Sequence, residues 1–397
     1  MLGNSLVQTL AVTAMNLRNI PERLGSSLVA LIGIGGVVTV VVGVLSIAEG
    51  FRAVLDQAGS DDVAIVLRGA ATDEMGSSIT QEESRIIADA EQVARGDSGA
   101  IVSAELYVIV EVPLARTGTP ANVPLRGVGR SAAGLREGFE LTAGRMFTPG
   151  TYEVIVGRGA LSQFAGLDVG GTIRSGTIAW QVVGHFRDAG SVAESEIWTD
   201  ASVLQGAYSR GTTFQSVRAR LESPDAMQAF EDTLTTDPRL NVRIFTERDY
   251  YEGLSETLVA IVSTVGIVIG VLMGLGAVFA ALNTMYSAVS SRTREIATLR
   301  ALGFGALPVI VSVLLEAVLI GLVGGGLGVA VAYLALNGLQ ASTLNFATFS
   351  QITFAFTVTP GLLVQGLVYA IALGFLGGLL PSIRAARLPI VTGLREL

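Results

Sequence analysis

Hydrophobic and polar positions along this chain fall into two contrasting patterns. From Ser26 to Ala48 there are 23 residues without a charge, rich in Val, Ile, Leu and Gly. About 20 apolar residues in a helix cross a hydrocarbon core ~30 Å thick, so this segment predicts a membrane-spanning helix. A cleaved signal peptide would have a shorter apolar region, about 7–15 residues, and would begin nearer the start. Ahead of it, residues 1–25 hold a weakly amphipathic stretch, Leu6 to Ile20, accompanied by Arg18, Pro21 and Arg23.

Between Glu49 and Glu256 the pattern changes to short alternating or β-rich runs punctuated by Gly, Pro and Asp. Runs 63–67, 100–114, 152–156, 171–173, 178–186, 214–221 and 242–245 read as strands. Runs 81–94, 158–164 and 224–235 read as helices, the last with Ser223 as its N-cap. Gly118 and Pro120 make 116–121 a hairpin tip. The segment is an α+β domain large enough to bury its own core.

From Thr257 to Ser291 another 35 residues carry no charge. As a helix they extend about 52 Å, more than one bilayer requires, which predicts a span that continues as a stalk into the soluble domain. Residues 301–383 hold a single charge, Glu316. They divide into spans at 307–336 and 361–383, separated by a polar, Thr/Ser-rich loop, 337–360. The expected fold is a polytopic α-helical membrane protein. It has four transmembrane helices and a large α+β extracytoplasmic domain, 49–256, between helices 1 (26–48) and 2 (257–290). A short cytoplasmic segment, 291–304, and a tail, 384–397, complete it.

Composition agrees with this reading. Half of the 397 residues are apolar, 15% are charged, and the mean hydropathy is +0.57; a soluble chain carries about a quarter charged residues. Charge also orients the spans. Segments 1–25, 291–304 and 384–397 together carry eight Arg against three acids, whereas 49–256 carries 18 Arg against 30 acids. Basic short loops stay cytoplasmic, which puts both termini inside and the acidic domain outside.

The residue inventory removes several function classes. All 26 basic residues are arginine, and a P-loop needs its lysine to reach the nucleotide phosphates, so a conventional NTPase is excluded. With no cysteine, thiol nucleophiles, zinc-finger sites and Fe–S clusters have no ligands, and the lone histidine, His185, disfavours a His-based triad. No catalytic, cofactor or metal site is expected. Nothing points to nucleic acid. Gly33, Gly35 and Gly36 lie inside a span, not after a strand, and form no nucleotide loop. Trp180 and Trp198 fall in the soluble domain and read as core.

Specific motifs carry a resemblance. The cytoplasmic run Ser291-Arg-Thr-Arg-Glu-Ile-Ala-Thr-Leu-Arg-Ala-Leu-Gly-Phe304 and the tail Leu388-Pro-Ile-Val-Thr-Gly-Leu-Arg-Glu396 are one pair. Ala143-Gly-Arg-Met-Phe147, Glu153-Val-Ile-Val-Gly157, Leu167-Asp-Val-Gly-Gly-Thr-Ile173 and Asn16-Leu-Arg-Asn-Ile-Pro21 are the others. With the one-plus-three helix layout they resemble the MacB/FtsX-like permeases of ABC transporters, in particular members whose ATPase is a separate polypeptide.

The resemblance implies a non-catalytic inner-membrane subunit that couples ATP hydrolysis elsewhere to movement of the outer domain. Arg292, Arg294, Glu295, Ile296, Leu299, Arg300, Leu302, Gly303 and Phe304 would then form a coupling helix docked on an ABC ATPase, which binds the ATP and Mg. The helix has an apolar side at Ile296, Leu299 and Leu302 and Gly303 as its C-cap. The bland alternative is an interfacial loop whose arginines meet lipid headgroups. A second permease copy and a periplasmic adaptor are the other implied partners, besides membrane lipid.

Small-xxx-small spacing at Gly270/Gly274 suits a dimer seam or packing within one subunit. For Gly321/Gly325, Gly324/Gly328 and Gly374/Gly378 intrachain packing is the simpler reading. Glu316, an intramembrane acid, is expensive to bury; it is either functional or a hydrogen-bonded group near the inner interface. Two other classes compete. One is an FtsX-like signal transmitter acting on a cell-wall hydrolase, whose outer domain is typically much smaller. The other is a secondary transporter, which would need broken, charged midplane helices in repeated halves.

Overall fold

The computed structural model describes residues 24–56, 59–97, 99–344 and 351–391. The N-terminal amphipathic stretch, with Asn16–Pro21, and the tail beyond Val391 lie outside the described residues. The chain separates into a helical unit and a soluble unit.

Long apolar helices build the helical unit: α1 (Leu24–Asp56), α6 (Glu247–Ser291), α8 (Ala306–Leu336) and α9 (Pro360–Arg387), with the short α7 (Thr293–Ala301) after α6. These four long helices are long and apolar enough to cross a membrane. Without a hydrophobic drive between helices in lipid, packing depends on close backbone approach. A Cβ at Gly374 would lie 2.7 Å from the Ala317 carbonyl oxygen, and one at Gly321 2.7 Å from that of Ala370. On the other side of α8, Gly328 sits against the backbone of Gly35 in α1. Two hydrogen bonds add direction: Thr39 Oγ1 donates to the Gly328 carbonyl at 3.0 Å, and the Tyr369 hydroxyl donates to the Gly270 carbonyl at 2.6 Å. The glycine pairs of α8 and α9 thus pack within the chain.

The soluble unit contains, in chain order, β1 (Val63–Arg68), α2 (Gln81–Asp89), β2 (Val102–Pro113), β3 (Pro120–Val128), β4 (Phe139–Gly144), β5 (Glu153–Gly157), α3 (Arg158–Gln163), β6 (Thr172–Ser175), β7 (Ile178–Asp188), β8 (Ile197–Asp200), α4 (Ala201–Ala207), β9 (Ser216–Arg220), α5 (Met227–Thr236) and β10 (Val242–Thr246). One ten-stranded sheet runs β10-β1-β9-β2-β3-β8-β5-β7-β4, with β6 on β7. The pairs β3/β8 and β5/β7 are parallel, the rest antiparallel. A capping box at Thr80 and Glu83 starts α2.

The 12-residue β2 divides the core. Its first half pairs with β9, Ser103 opposite Arg218, and its second half with β3. On one side Ile87 of α2 and Phe230 and Leu234 of α5 cover Ala64, Val66 and Val217. On the other, Leu204 of α4 and Ala160 of α3 cover Val108, Leu125, Val156 and Trp180. Trp198 packs with Phe186 and Phe139 on the opposite face.

Several boundaries differ from the sequence expectation. The second long helix begins at Glu247, ten residues before the charge-free window, because polar residues 247–256 continue the same helix. Ser223 precedes a 3₁₀ turn, Pro224–Ala226, and makes no side-chain cap. Strands β3, β4 and β8 and helix α4 lie in runs too interrupted by Gly, Pro and charge to register as periodic. The expected loop 337–360 is instead a hairpin, β11 (Gln340–Leu344) with β12 (Gln351–Ala355), which belongs to the soluble unit.

Candidate functional site

Segment 291–304 folds as α7 closed by a glycine turn. Gly303 has φ +93°, a conformation glycine adopts without Cβ strain. Its N–H donates to the Arg300 carbonyl and the Phe304 N–H to that of Leu299, both at 3.1 Å. This is the Schellman pattern for terminating a helix.

Both ends of α7 are fastened inside the helical unit. At the start, Arg292 makes a two-point ion pair with Glu316 of α8: Nη1 to Oε2 2.8 Å, Nη2 to Oε1 3.0 Å. Both side chains are about 95% buried. Glu316 is therefore the buried counter-ion of the segment that precedes it. At the far end, Arg300 donates to the carbonyls of Ala386 and Leu388 at the C-terminus of α9, where a cation also meets the negative end of the helix dipole.

The expected apolar side does not form one face. Ile296 is buried against Met285, Val289, Val309 and Val313, Leu299 is half-buried, and Leu302 is 72% exposed. The outward surface consists of Arg294, Thr298, Ala301 and Leu302, continued by Leu307. Arg300, expected on the docking face, is an internal anchor. Gly270 and Gly274 also point inward. A Cβ at Gly270 would meet Val41, and one at Gly274 the Tyr369 hydroxyl. They pack within the chain and leave no room for a second copy there.

A second polar constellation lies in the soluble unit. Arg126 of β3 is clasped by Glu74 (2.8 and 2.9 Å), Glu196 (2.8 Å) and Glu105 of β2 (3.0 Å). Arg218 of β9 shares Glu105 at 3.1 Å and also pairs with Glu247, the first residue of α6. Tyr251, one turn further along α6, accepts from Arg218 at 3.1 Å. Burial opposes ionisation of Glu74, but the charges of Arg126 and Arg218 and a hydrogen bond from Ser216 outweigh it and hold its carboxyl well below the usual range. Burial likewise opposes ionisation of Glu105, yet Arg136, Arg218 and Arg126 keep its carboxyl low. The cluster fixes the head of α6 to the middle of the sheet. Sequence reasoning missed it, since partners such as Arg126 and Glu105 or Ser216 and Glu74 lie 21 and 142 residues apart.

The remaining motif residues hold the domain together. Arg145 forms a two-point pair with Glu153 at 2.7 and 2.5 Å, joining the Gly-Arg-x-Phe and Glu-Val-x-x-Gly runs. Hydrogen bonds from Arg145, helped by Thr148, draw the Glu153 carboxyl down to about 2 against a small opposing effect of burial. His185 is buried in β7 with Nε2 2.8 Å from the Leu167 carbonyl oxygen. Among the described residues no group of three or more His, Cys, Asp or Glu is arranged to hold a metal ion.

Comparison with known proteins adds the following. The family described as MacB-like periplasmic core domain matches residues 27–237, and the FtsX-like permease C-terminal family matches 259–390. The macrolide export ATP-binding/permease protein MacB of Bordetella avium is 26% identical over 97% of this chain and 59% of its own length. The protein of the same name from Shigella flexneri is 30% identical over 57% of this chain and 35% of its length. The chain thus spans about half the length of the curated relatives it matches. Among solved structures, the periplasmic region of MacB from Actinobacillus actinomycetemcomitans aligns with a TM-score of 0.39 and 13% identity, over 50% of this chain and 94% of that one.

Proposed function

The chain belongs to the family of MacB-like and FtsX-like permeases, and from that premise we propose that it is the membrane subunit of an ATP-driven ABC complex in the bacterial inner membrane. ATP and Mg are bound by a partner ATPase, and this chain converts the partner's closure into movement of its periplasmic domain. Both termini and α7 face the cytoplasm, in keeping with the arginines of the short segments.

The observation that carries this reading is the double fastening of α7. Arg292 ties it to α8 and Arg300 ties it to α9, while Arg294, Thr298 and Leu302 stay exposed. A push on the exposed face is delivered to two transmembrane helices at once. An interfacial lipid anchor needs no such bracing. Arg218 and its partners suit the other end of the path, where the head of α6 enters the sheet.

Two permease copies complete the assembly, with α6 as the contact helix. Ile261, Val265, Val268, Leu272, Leu275 and Phe279 are all exposed on it, at alternating spacings of four and three. This is the pattern of a left-handed helix pair. The names of the relatives speak of macrolide export, which supports export as the task; a periplasmic adaptor is a further partner in this proposal.

The test is purification of the tagged chain in lipid nanodiscs from its own membranes. Mg-ATP turnover is expected to accompany it through a stoichiometric ATPase subunit. A preparation that retains its native fold and its periplasmic partners but never an ATPase would overturn the proposal.

A further inference from the structure

The connection between α8 and α9 carries more structure than joining two antiparallel helices requires, for which about 2–8 residues suffice. Its roots are closed by hydrogen bonds within the helical unit. The Gly338 N–H donates to the Phe356 carbonyl at 2.9 Å, the Phe356 N–H to that of Leu339 at 3.0 Å, and the Val358 N–H to Asn337 Oδ1 at 3.1 Å. From these roots β11 and β12 run on as a paired ladder, Ala341 opposite Phe354 and Ser342 opposite Thr353.

Within the soluble unit, β12 is wedged between elements of the large domain. The Thr353 N–H donates to Ser195 Oγ at 2.9 Å, at the end of the 3₁₀ turn Val192–Ser195. At the head of α3, a Cβ on Gly159 would lie 3.3 Å from that of Thr353. Phe354 is 4% exposed and meets Phe51 of α1 edge-to-face, with ring centroids 6.4 Å apart. The neighbouring Gly50 is so close to the Ala355 carbonyl that any side chain there would collide with it. Thr353 and Phe354 lie on opposite faces of the strand and both are buried, so a slip of one residue would misplace both.

We propose that this hairpin is a mechanical tie, docked permanently on the periplasmic domain, which carries displacement of α8 and α9 into that domain in parallel with α1 and α6. The inference rests on the proposed transmission role. Its logic comes from the anchors of α7, which run to the two helices that the hairpin joins. Force taken up at α7 therefore has a route to the domain, through α8, α9 and the docked hairpin, that bypasses α6.

The experiment uses the complex of permease and ATPase in nanodiscs, with a spin label attached at the exposed Asp225 through a non-cysteine handle. The ATP-dependent change in distance between copies is the readout. If the parent complex shows no change, the transmission role itself fails, independently of the hairpin. Given a change in the parent, Phe354→Ala is expected to reduce it by more than half while Mg-ATP turnover continues. The chain has no cysteine, so Ser195→Cys with Thr353→Cys can form a single disulfide. Oxidised, this pair is expected to keep the full change in the parent and to restore it in Phe354→Ala. An undiminished change in Phe354→Ala, or arrest by the disulfide, overturns the proposal. The disulfide in the parent decides the matter alone should Phe354→Ala fail to assemble.

Discussion

Arg292 and Glu316, 24 residues apart in sequence, form a two-point ion pair that is almost fully buried and joins the start of α7 to α8. A pair of this kind is a poor source of net stability but a costly thing to halve, because the survivor is left charged and dry.

Glu316→Leu is accordingly expected to destabilise the helical unit by about 3–5 kcal/mol. The double replacement Arg292→Leu/Glu316→Leu should recover most of that loss. Thermal unfolding in nanodiscs across the four-protein cycle measures the coupling. If the double variant is no better than the single one, the pair is not what holds α7 to α8.

The two arginines that flank the centre of α7 should separate by assay. Arg294 is exposed, and Arg294→Glu with Leu302→Asp is expected to leave the melting temperature unchanged while lowering ATPase association at least tenfold. Arg300 is bonded to the end of α9, so Arg300→Ala should lower the melting temperature as well as coupling. Loss of association from Arg300→Ala alone, with Arg294 and Leu302 indifferent, would place the docking face elsewhere.

The cluster around Arg126 makes the periplasmic domain sensitive to acid. Glu74 and Glu105 have carboxyls held low by their arginine partners. Their contribution is present above the unfolded value of about 4.3 and is lost as pH falls through their folded values. Asp188 works in the opposite sense. Burial raises its carboxyl, against a hydrogen bond from Ser191 and the charge of Arg136, so its cost eases as pH falls from neutrality. Stability of the domain should therefore hold or rise slightly toward pH 5 and drop below about 4. Trp180 and Trp198, the only tryptophans, report on this domain alone. Arg126→Leu, which takes an arginine partner from Glu74, Glu105 and Glu196 at once, is expected to cost about 3–5 kcal/mol and to move the acid transition up. A denaturant midpoint, followed by tryptophan fluorescence, that does not fall between pH 5 and pH 3 would contradict the assignment.

Sequence patterning revealed the spans and the domain between them, because charge-free length is a one-dimensional signal that a bilayer imposes. It also singled out α7 and Gly303, since a helix and its glycine cap are local. It assigned Arg300 and Ile296 to the wrong surface: which side of a nine-residue helix faces inward depends on α8 and α9, not on the helix itself. Glu316 stood out by its hydrocarbon setting, but its partner Arg292 could not be chosen from several nearby arginines. Arg126 and Arg218 gave no signal at all. Arg126 is the one charge of β3 and Arg218 shares β9 with Arg220, and only the fold brings Glu74, Glu105 and Glu196 to them. The β11–β12 hairpin was hidden by its Ser, Thr and Asn content, which in the absence of a partner surface reads as loop.

Of the two readings open for the glycines of α6, the structure fits packing within the chain, and this yields the last prediction. At about 100° per residue, Gly270 and Gly274 lie on the side of α6 opposite the stripe Ile261, Val265, Val268, Leu272, Leu275 and Phe279. The glycine side packs on Val41 and Tyr369 within the chain, so the stripe is the side left for another helix. Spacings of four and three follow one face of any helix, and such a face suits a partner helix crossing at a shallow angle as well as lipid; cross-linking separates the two. Single cysteines placed from Ile261 to Phe279 in this cysteine-free chain should cross-link two copies at Val265, Val268, Leu272 and Leu275. Ile267, exposed but about 120° away from the stripe centre, should not cross-link. Equal cross-linking at Ile267 and Val268 would mean that the stripe faces lipid and that the copies meet through a different surface.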